Sequence, residues 1–118
     1  MNFYKCKECG DVIIKLNDAE VCGEKMEKLV AGSVDAAREK HVPALTRNGN
    51  ELHVVVGDVE HPMVEDHWIQ AIVAVQGNKT QIVKLNPGEK PVADFVLEDG
   101  PVVVYEYCNK HGLWKAEA

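Results

Sequence analysis

Near the C-terminus, Tyr107-Cys108-Asn109-Lys110-His111 sets a thiol and an imidazole three residues apart. That spacing lets one turn present both to a single metal ion. Three further histidines, His41, His61 and His67, stand upstream. The number of donors bears on the metal. Structural zinc takes four ligands, and catalytic zinc usually takes three plus water. Four imidazoles and a thiolate exceed both needs and leave one open place on a six-coordinate ion, which suits a single mononuclear iron. On Fe(II) this set carries one net positive charge, so a small anion is drawn to the open place. A thiolate opposite that place pushes electron density toward whatever binds there, favouring one-electron reduction of a bound oxygen species.

Glu39 and Lys40 directly precede His41. Lys40 can attract an anion and organise water for proton delivery. Glu39 can bind the more highly charged ferric ion. Read singly, the two are ordinary exposed charges on a loop. A lone histidine is likewise more often a surface or core residue than a ligand. His53 sits inside an alternating strand with no partner at ligand spacing, so it is left out of the cluster. Trp68 and Trp114 read as packing and Lys110 as a solvated charge.

The other three cysteines crowd the N-terminus. Cys6-Lys7-Glu8-Cys9-Gly10 is a metal-binding knuckle, with Gly10 free to take a strained backbone angle, and Cys22-Gly23 brings a third thiol at a second turn. A segment this small folds only with help, and a metal is a common form of it. Cys6, Cys9 and Cys22 are one sulfur short of a four-thiolate centre. No stable four-thiolate iron is expected there, though water or a carboxylate such as Glu20 or Glu24 can complete a site for another metal.

The positioning elements read as β. Glu51–Gly57 alternates, and strands follow at Ile69–Val75, Thr80–Leu85, Val92–Leu97 and Val102–Tyr107, separated by Gly, Pro and Asn turns. Short β-branched strands at this interval indicate an all-β sandwich. Between Gly32 and His41 there is at most one short helix, with Ser33 as its candidate cap and Pro43 as its stop. His41 and His61 then fall in loops, His67 at a strand start and Cys108 at a strand end. In a sandwich such positions gather at one rim.

With 118 residues, the chain suits one main domain and a small appendage, here 1–31 and 32–118. Hydrophobic content of 46% and charged content of 27% describe an ordinary globular protein. A net charge of −6 argues against general nucleic-acid binding. Its apolar runs are too short to span a membrane, and the N-terminus lacks the apolar core of a signal peptide, so a cytoplasmic location is expected.

Glu39-Lys40-His41-Val42-Pro43, His61-Pro62-Met63, His67-Trp68-Ile69 and Cys108-Asn109-Lys110-His111-Gly112 resemble the iron-site motifs of superoxide reductases. Cys6-x-x-Cys9-Gly10 with Cys22-Gly23-Glu24 makes the chain similar to the two-domain members, the desulfoferrodoxins. The resemblance implies an immunoglobulin-like antiparallel β-sandwich behind a small desulforedoxin-like domain. It implies an iron with His41, His61, His67 and His111 as equatorial ligands and Cys108 as the axial one. It further implies reduction of superoxide to hydrogen peroxide, a rubredoxin-like electron donor and a homodimer. Glu39 becomes the carboxylate for oxidised iron, and Lys40 the charge beside the substrate. One departure stands out: the family pattern has two adjacent cysteines before Gly-Glu, and here that pair reads Val21-Cys22. Two other readings of the chain are a non-catalytic β-sandwich binding module with a metal knuckle and an electron-transfer protein with a closed iron site.

Overall fold

The computed structural model of the chain describes residues 1–17 and 25–118. Cys22, with Glu20, Val21 and Glu24, lies outside the described residues, and so does the expected second turn. The chain divides into two compact units, Met1–Val30 and Ala31–Ala118.

In the first unit, β1 (Asn2–Cys6) is the centre of a three-stranded antiparallel sheet, with β2 (Val12–Lys15) and β3 (Met26–Lys28) on its two sides. Phe3 and Tyr4 of β1 are the buried apolar side chains among this unit's described residues. At roughly 1.5–3 kcal/mol for each fully buried large side chain, two cannot balance the entropy of ordering some thirty residues.

The second unit carries the core. After α1 (Arg38–His41) come β4 (Pro43–Asn48), β5 (Glu51–Val56), β6 (Ile69–Gln76), β7 (Lys79–Lys84), β8 (Val92–Val96), β9 (Val103–Cys108) and β10 (Gly112–Glu117). They form two antiparallel sheets, β4-β5-β8 and β10-β9-β6-β7, the immunoglobulin-like sandwich expected. Alternation explains the packing. In β5, Leu52, Val54 and Val56 are buried while Glu51 and His53 face solvent. Ile72, Ala74, Phe95, Val104 and Cys108 join them in one continuous core.

Three local expectations are corrected. His41 is the last residue of α1, not a loop residue. Ser33 does not cap this helix: Ala37 occupies that place with no side-chain hydrogen bond, because the helix begins only at Arg38. His67 precedes β6 in a tight turn, held by a two-way backbone bridge with Val64 (3.0 Å each way), rather than opening the strand. The helix does stop before Pro43, which opens edge strand β4, a position where its missing N–H costs no ladder bond. Among the described residues no helix is long and apolar enough to cross a membrane.

Candidate metal centre

The β9–β10 hairpin supplies two donors. Cys108 pairs with Gly112 across it, leaving Asn109, Lys110 and His111 as a three-residue loop. Gly112 follows at φ 80°, the left-handed residue that closes such a loop. This turn chemistry is why Cys-x-x-His-Gly holds thiol and imidazole together. Asn109 ties the hairpin to the His67 turn. Its Oδ1 accepts from Trp68 N (2.9 Å) and its Nδ2 donates to Asp66 O (3.0 Å). Trp114 of β10 donates from Nε1 to His111 O (2.9 Å), and its ring packs on His41 with centroids 5.3 Å apart.

The donor atoms of His41, His61, His67, Cys108 and His111 all lie within 4.8 Å of one another. The four imidazoles form a closed cycle, His41–His61–His67–His111. Neighbouring centroids are 4.7–5.0 Å apart and neighbouring planes meet at 76–87°. His41, His61 and Cys108 are buried, while His67 and His111 are reached by solvent.

Hydrogen bonding fixes which nitrogens face inward. His41 Nδ1 donates to Ala37 O and His61 Nδ1 to Pro62 O, each at 2.7 Å. A carbonyl only accepts, so both Nδ1 atoms carry the proton and both Nε2 atoms present lone pairs. Yet the two Nε2 atoms stand 3.1 Å apart. No neutral tautomer of His111 puts a proton between them. Charging one ring is disfavoured, since burial lowers the His61 pKa to about 4, opposed by its bond to Pro62. Burial lowers His41 and His67 as well. His67 Nε2 is buried with no hydrogen-bond partner. Converging lone pairs of this kind are satisfied by a cation.

The spacing bears on which cation. His41 Nε2 lies 3.0 Å from His111 Nδ1 and 3.1 Å from His61 Nε2. Two nitrogens at ~2.1 Å from one ion are about 3.0 Å apart at right angles and about 3.4 Å apart at the tetrahedral angle. The right-angle value fits, and four imidazoles in a cycle with a thiol beside them form a set able to bind one iron. Burial raises the Cys108 pKa, with the backbone N–H groups of Lys110 and His111 working the other way. A bound cation is what would hold this sulfur as thiolate.

Glu39 and Lys40 lie on α1 next to His41, Glu39 exposed and Lys40 half-buried. Their charges act on His41 in opposite directions, Lys40 lowering and Glu39 raising its pKa. His53 stays outside the cluster, paired with Asp94 at 2.6 Å on the exposed sheet face. Lys110 has a long ion pair with Asp66 at 3.9 Å rather than being simply solvated. In the first unit, Cys9 N donates to Cys6 Sγ (3.4 Å) and Gly10 takes φ 78°, as a metal knuckle requires.

One residue went unnoticed in the sequence. Glu106 is fully buried on the inward side of β9, between Val104 and Cys108, and neither carboxylate oxygen has a hydrogen-bond partner. Burial raises its pKa well above the usual carboxylate range. The signal available was parity, a charged residue at a core-facing position of an alternating strand.

Comparison with known proteins places this arrangement. The family profile described as Desulfoferrodoxin matches residues 33–117. A desulfoferrodoxin of Nitratidesulfovibrio vulgaris is 44% identical over 98% of this chain and 94% of its own. Among solved structures, the superoxide reductase from Treponema pallidum superposes with a TM-score of 0.74 at 30% identity, covering 97% of this chain and 98% of that one. The superoxide reductase (1Fe-SOR) from Giardia intestinalis is 33% identical with a TM-score of 0.60, covering 68% of this chain and 97% of that one. With the family profile matching most of the chain and a 44% identical relative matching nearly all of it, the chain belongs to the desulfoferrodoxin family.

Proposed function

We propose that the chain is a superoxide reductase, taking superoxide, one electron and two protons to hydrogen peroxide. The observation that carries this reading is the closed cycle of four imidazoles with a buried thiol inside the same 4.8 Å cluster. Relatives described as superoxide reductases support it. Bound iron would supply the one-electron chemistry. His41, His61, His67 and His111 would hold it as neutral ligands, the first two kept in the correct tautomer by Ala37 O and Pro62 O. Cys108 would hold it as thiolate. Lys40 would draw the anionic substrate toward the donor cluster and order water for the protons. Glu39 provides a carboxylate that can bind the oxidised site.

The family resemblance implies a rubredoxin or similar small carrier as electron donor and a homodimer; the location we infer is the cytoplasm. In the N-terminal unit we infer that Cys6, Cys9 and Cys22 make an incomplete ligand set on which no stable four-thiolate iron forms.

Metal analysis with optical spectra and a superoxide pulse tests the proposal. About one iron per chain, colourless when reduced and showing a broad visible thiolate-to-iron band when oxidised, is expected, with rapid consumption of superoxide by the reduced form. Azide or cyanide binding separates this from a closed electron-transfer site, which has no room for them. Zinc alone in an iron-supplied anaerobic preparation would instead favour a binding module.

A further inference from the structure

Gly57 differs in kind from most glycines of the chain. Gly10, Gly32, Gly49, Gly77, Gly88 and Gly100 have positive φ, and a Cβ on any of them would meet nothing within 4 Å. Conformation demands glycine there. Gly57 has no positive φ, yet a Cβ on it would lie 2.6 Å from Glu39 O, 2.8 Å from Lys40 C and 3.1 Å from His41 N. Space demands glycine here.

The turn after β5 that contains Gly57 makes two further contacts with ligand-bearing segments. Val59 N donates to Glu39 O (2.9 Å), and His61 N donates to Val56 O (3.3 Å). Residues 56–59 therefore form a seat under the Glu39-Lys40-His41 backbone, at the point where the chain continues to His61. We propose that Gly57 is a positioning residue: its bare Cα lets this segment sit deep enough to set where Lys40 and Glu39 stand beside His41 and the donor cluster it belongs to. This rests on the superoxide reductase reading. Ordinary carbon contacts begin near ~3.5 Å, so an added methyl pushes the segment outward by about an ångström. His41 keeps its anchors, the Nδ1 bond to Ala37 O within its own helix and the packing of Trp114. Among the described residues the side chains of Lys40 and Glu39 make no such bond, so they follow their backbone, which Ala37 O and Val59 N hold.

The test is Gly57→Ala in the full iron-loaded chain, beside wild type and Lys40→Ala. Folding is checked by thermal unfolding and loading by metal analysis. The expected result is one iron retained with its oxidised visible band. The rate with superoxide falls by about tenfold to a hundredfold, the range a misplacement of this size produces. Its ionic-strength dependence flattens, and azide affinity of the oxidised protein falls with the same loss of salt dependence. Combined with Lys40→Ala, the effects do not add. Loss of iron would overturn the proposal in favour of a purely structural role, as would wild-type rate, salt slope and azide affinity. Should the alanine chain not fold, Val59→Pro removes the N–H that holds Glu39 O without adding bulk at position 57. The same flattening is then expected, and an unchanged salt slope overturns the proposal. A wild-type protein that binds azide but does not consume superoxide would sink the reaction reading alone, leaving azide affinity to judge Gly57.

Discussion

The chain displays cysteine in two settings. At the rim of the sandwich, donors between positions 41 and 111 come from a helix end, a long loop, a tight turn and a hairpin, and three of the five are buried. In the N-terminal unit, Cys6 and Cys9 come from one turn, the first half-buried and the second exposed. The rim is built by the core. Ile69, Ile72, Val104 and Cys108 pack together, and the His41 and His61 rings are aimed by backbone carbonyls. The knuckle has only Phe3 and Tyr4 behind it among the described residues. There the thiols are solvated and interact chiefly with each other, the Cys9 thiol favouring a charged Cys6. Folding sets the geometry in one case. In the other, any metal that bound would contribute to folding itself.

The difference predicts unequal consequences for equal substitutions. Cys108→Ser should abolish the visible thiolate band and lower the superoxide rate by more than about a hundredfold, beyond what loss of an outer partner costs. Cys9→Ser should leave that rate within about twofold of wild type. Comparable losses from both, measured by pulse kinetics on iron-loaded protein, would break the distinction between a working rim and a dispensable knuckle.

Restoring the missing sulfur sharpens the same comparison. Val21→Cys recreates the pair of adjacent cysteines found in the two-domain family members and makes four thiols available in the first unit. Iron content should rise from about one to about two per chain, with a second, all-sulfur spectrum and slower proteolysis within residues 1–30. Iron content that stays at one would show that more than a ligand is lacking.

What the sequence revealed follows the same divide between local and long-range physics. The Cys108–His111 pair was legible because hairpin geometry is local: three loop residues and a left-handed Gly112 dictate it. β5 was legible from strict alternation. β4 was not, because Pro43 opens it and Ala44, Leu45 and Thr46 do not alternate cleanly; its place comes from pairing with β5. β10 was hidden too, since Gly112-Leu113-Trp114-Lys115-Ala116-Glu117 contains no β-branched residue and is a strand by its register with β9. The convergence of five donors at one rim could be expected from strand ends and loops. The closed cycle of rings could not, because it depends on separate anchors at Ala37 and Pro62 and on the Asn109 link. Gly57 read simply as the last residue of the strand Glu51–Gly57, since the backbone it accommodates lies sixteen or more residues away in sequence.

Glu106 offers the smallest effect and the cleanest sign. Its carboxyl is buried two residues before Cys108 with both oxygens unpartnered, and burial raises its pKa well above the usual range. Above the unfolded carboxylate value of about 4.3 the unfolded chain loses this proton while the folded chain keeps it. The folded state then binds more protons, so stability falls as pH rises, by at most about 1.4 kcal/mol per pH unit for one proton, until the folded pKa is reached. The buried histidines act oppositely. His61, lowered to about 4, contributes stability that is present above about 6.5 and lost as pH falls toward 4. Above pH ~6.5 the histidine contribution levels off, and the thiols, with Cys108 raised by burial, act equally on both proteins, so the difference from Glu106→Gln isolates Glu106. Thermal unfolding of the metal-free chain between pH 6.5 and 8.5 should show wild type losing stability relative to Glu106→Gln as pH rises. At roughly 4–8 °C per kcal/mol for a domain of this size, a fraction of one proton gives a gap of a few degrees. Parallel curves would mean that Glu106 is ionised in the folded chain. The rim would then tolerate a solvated charge much as the knuckle does, and the contrast between the two regions would lose its physical basis.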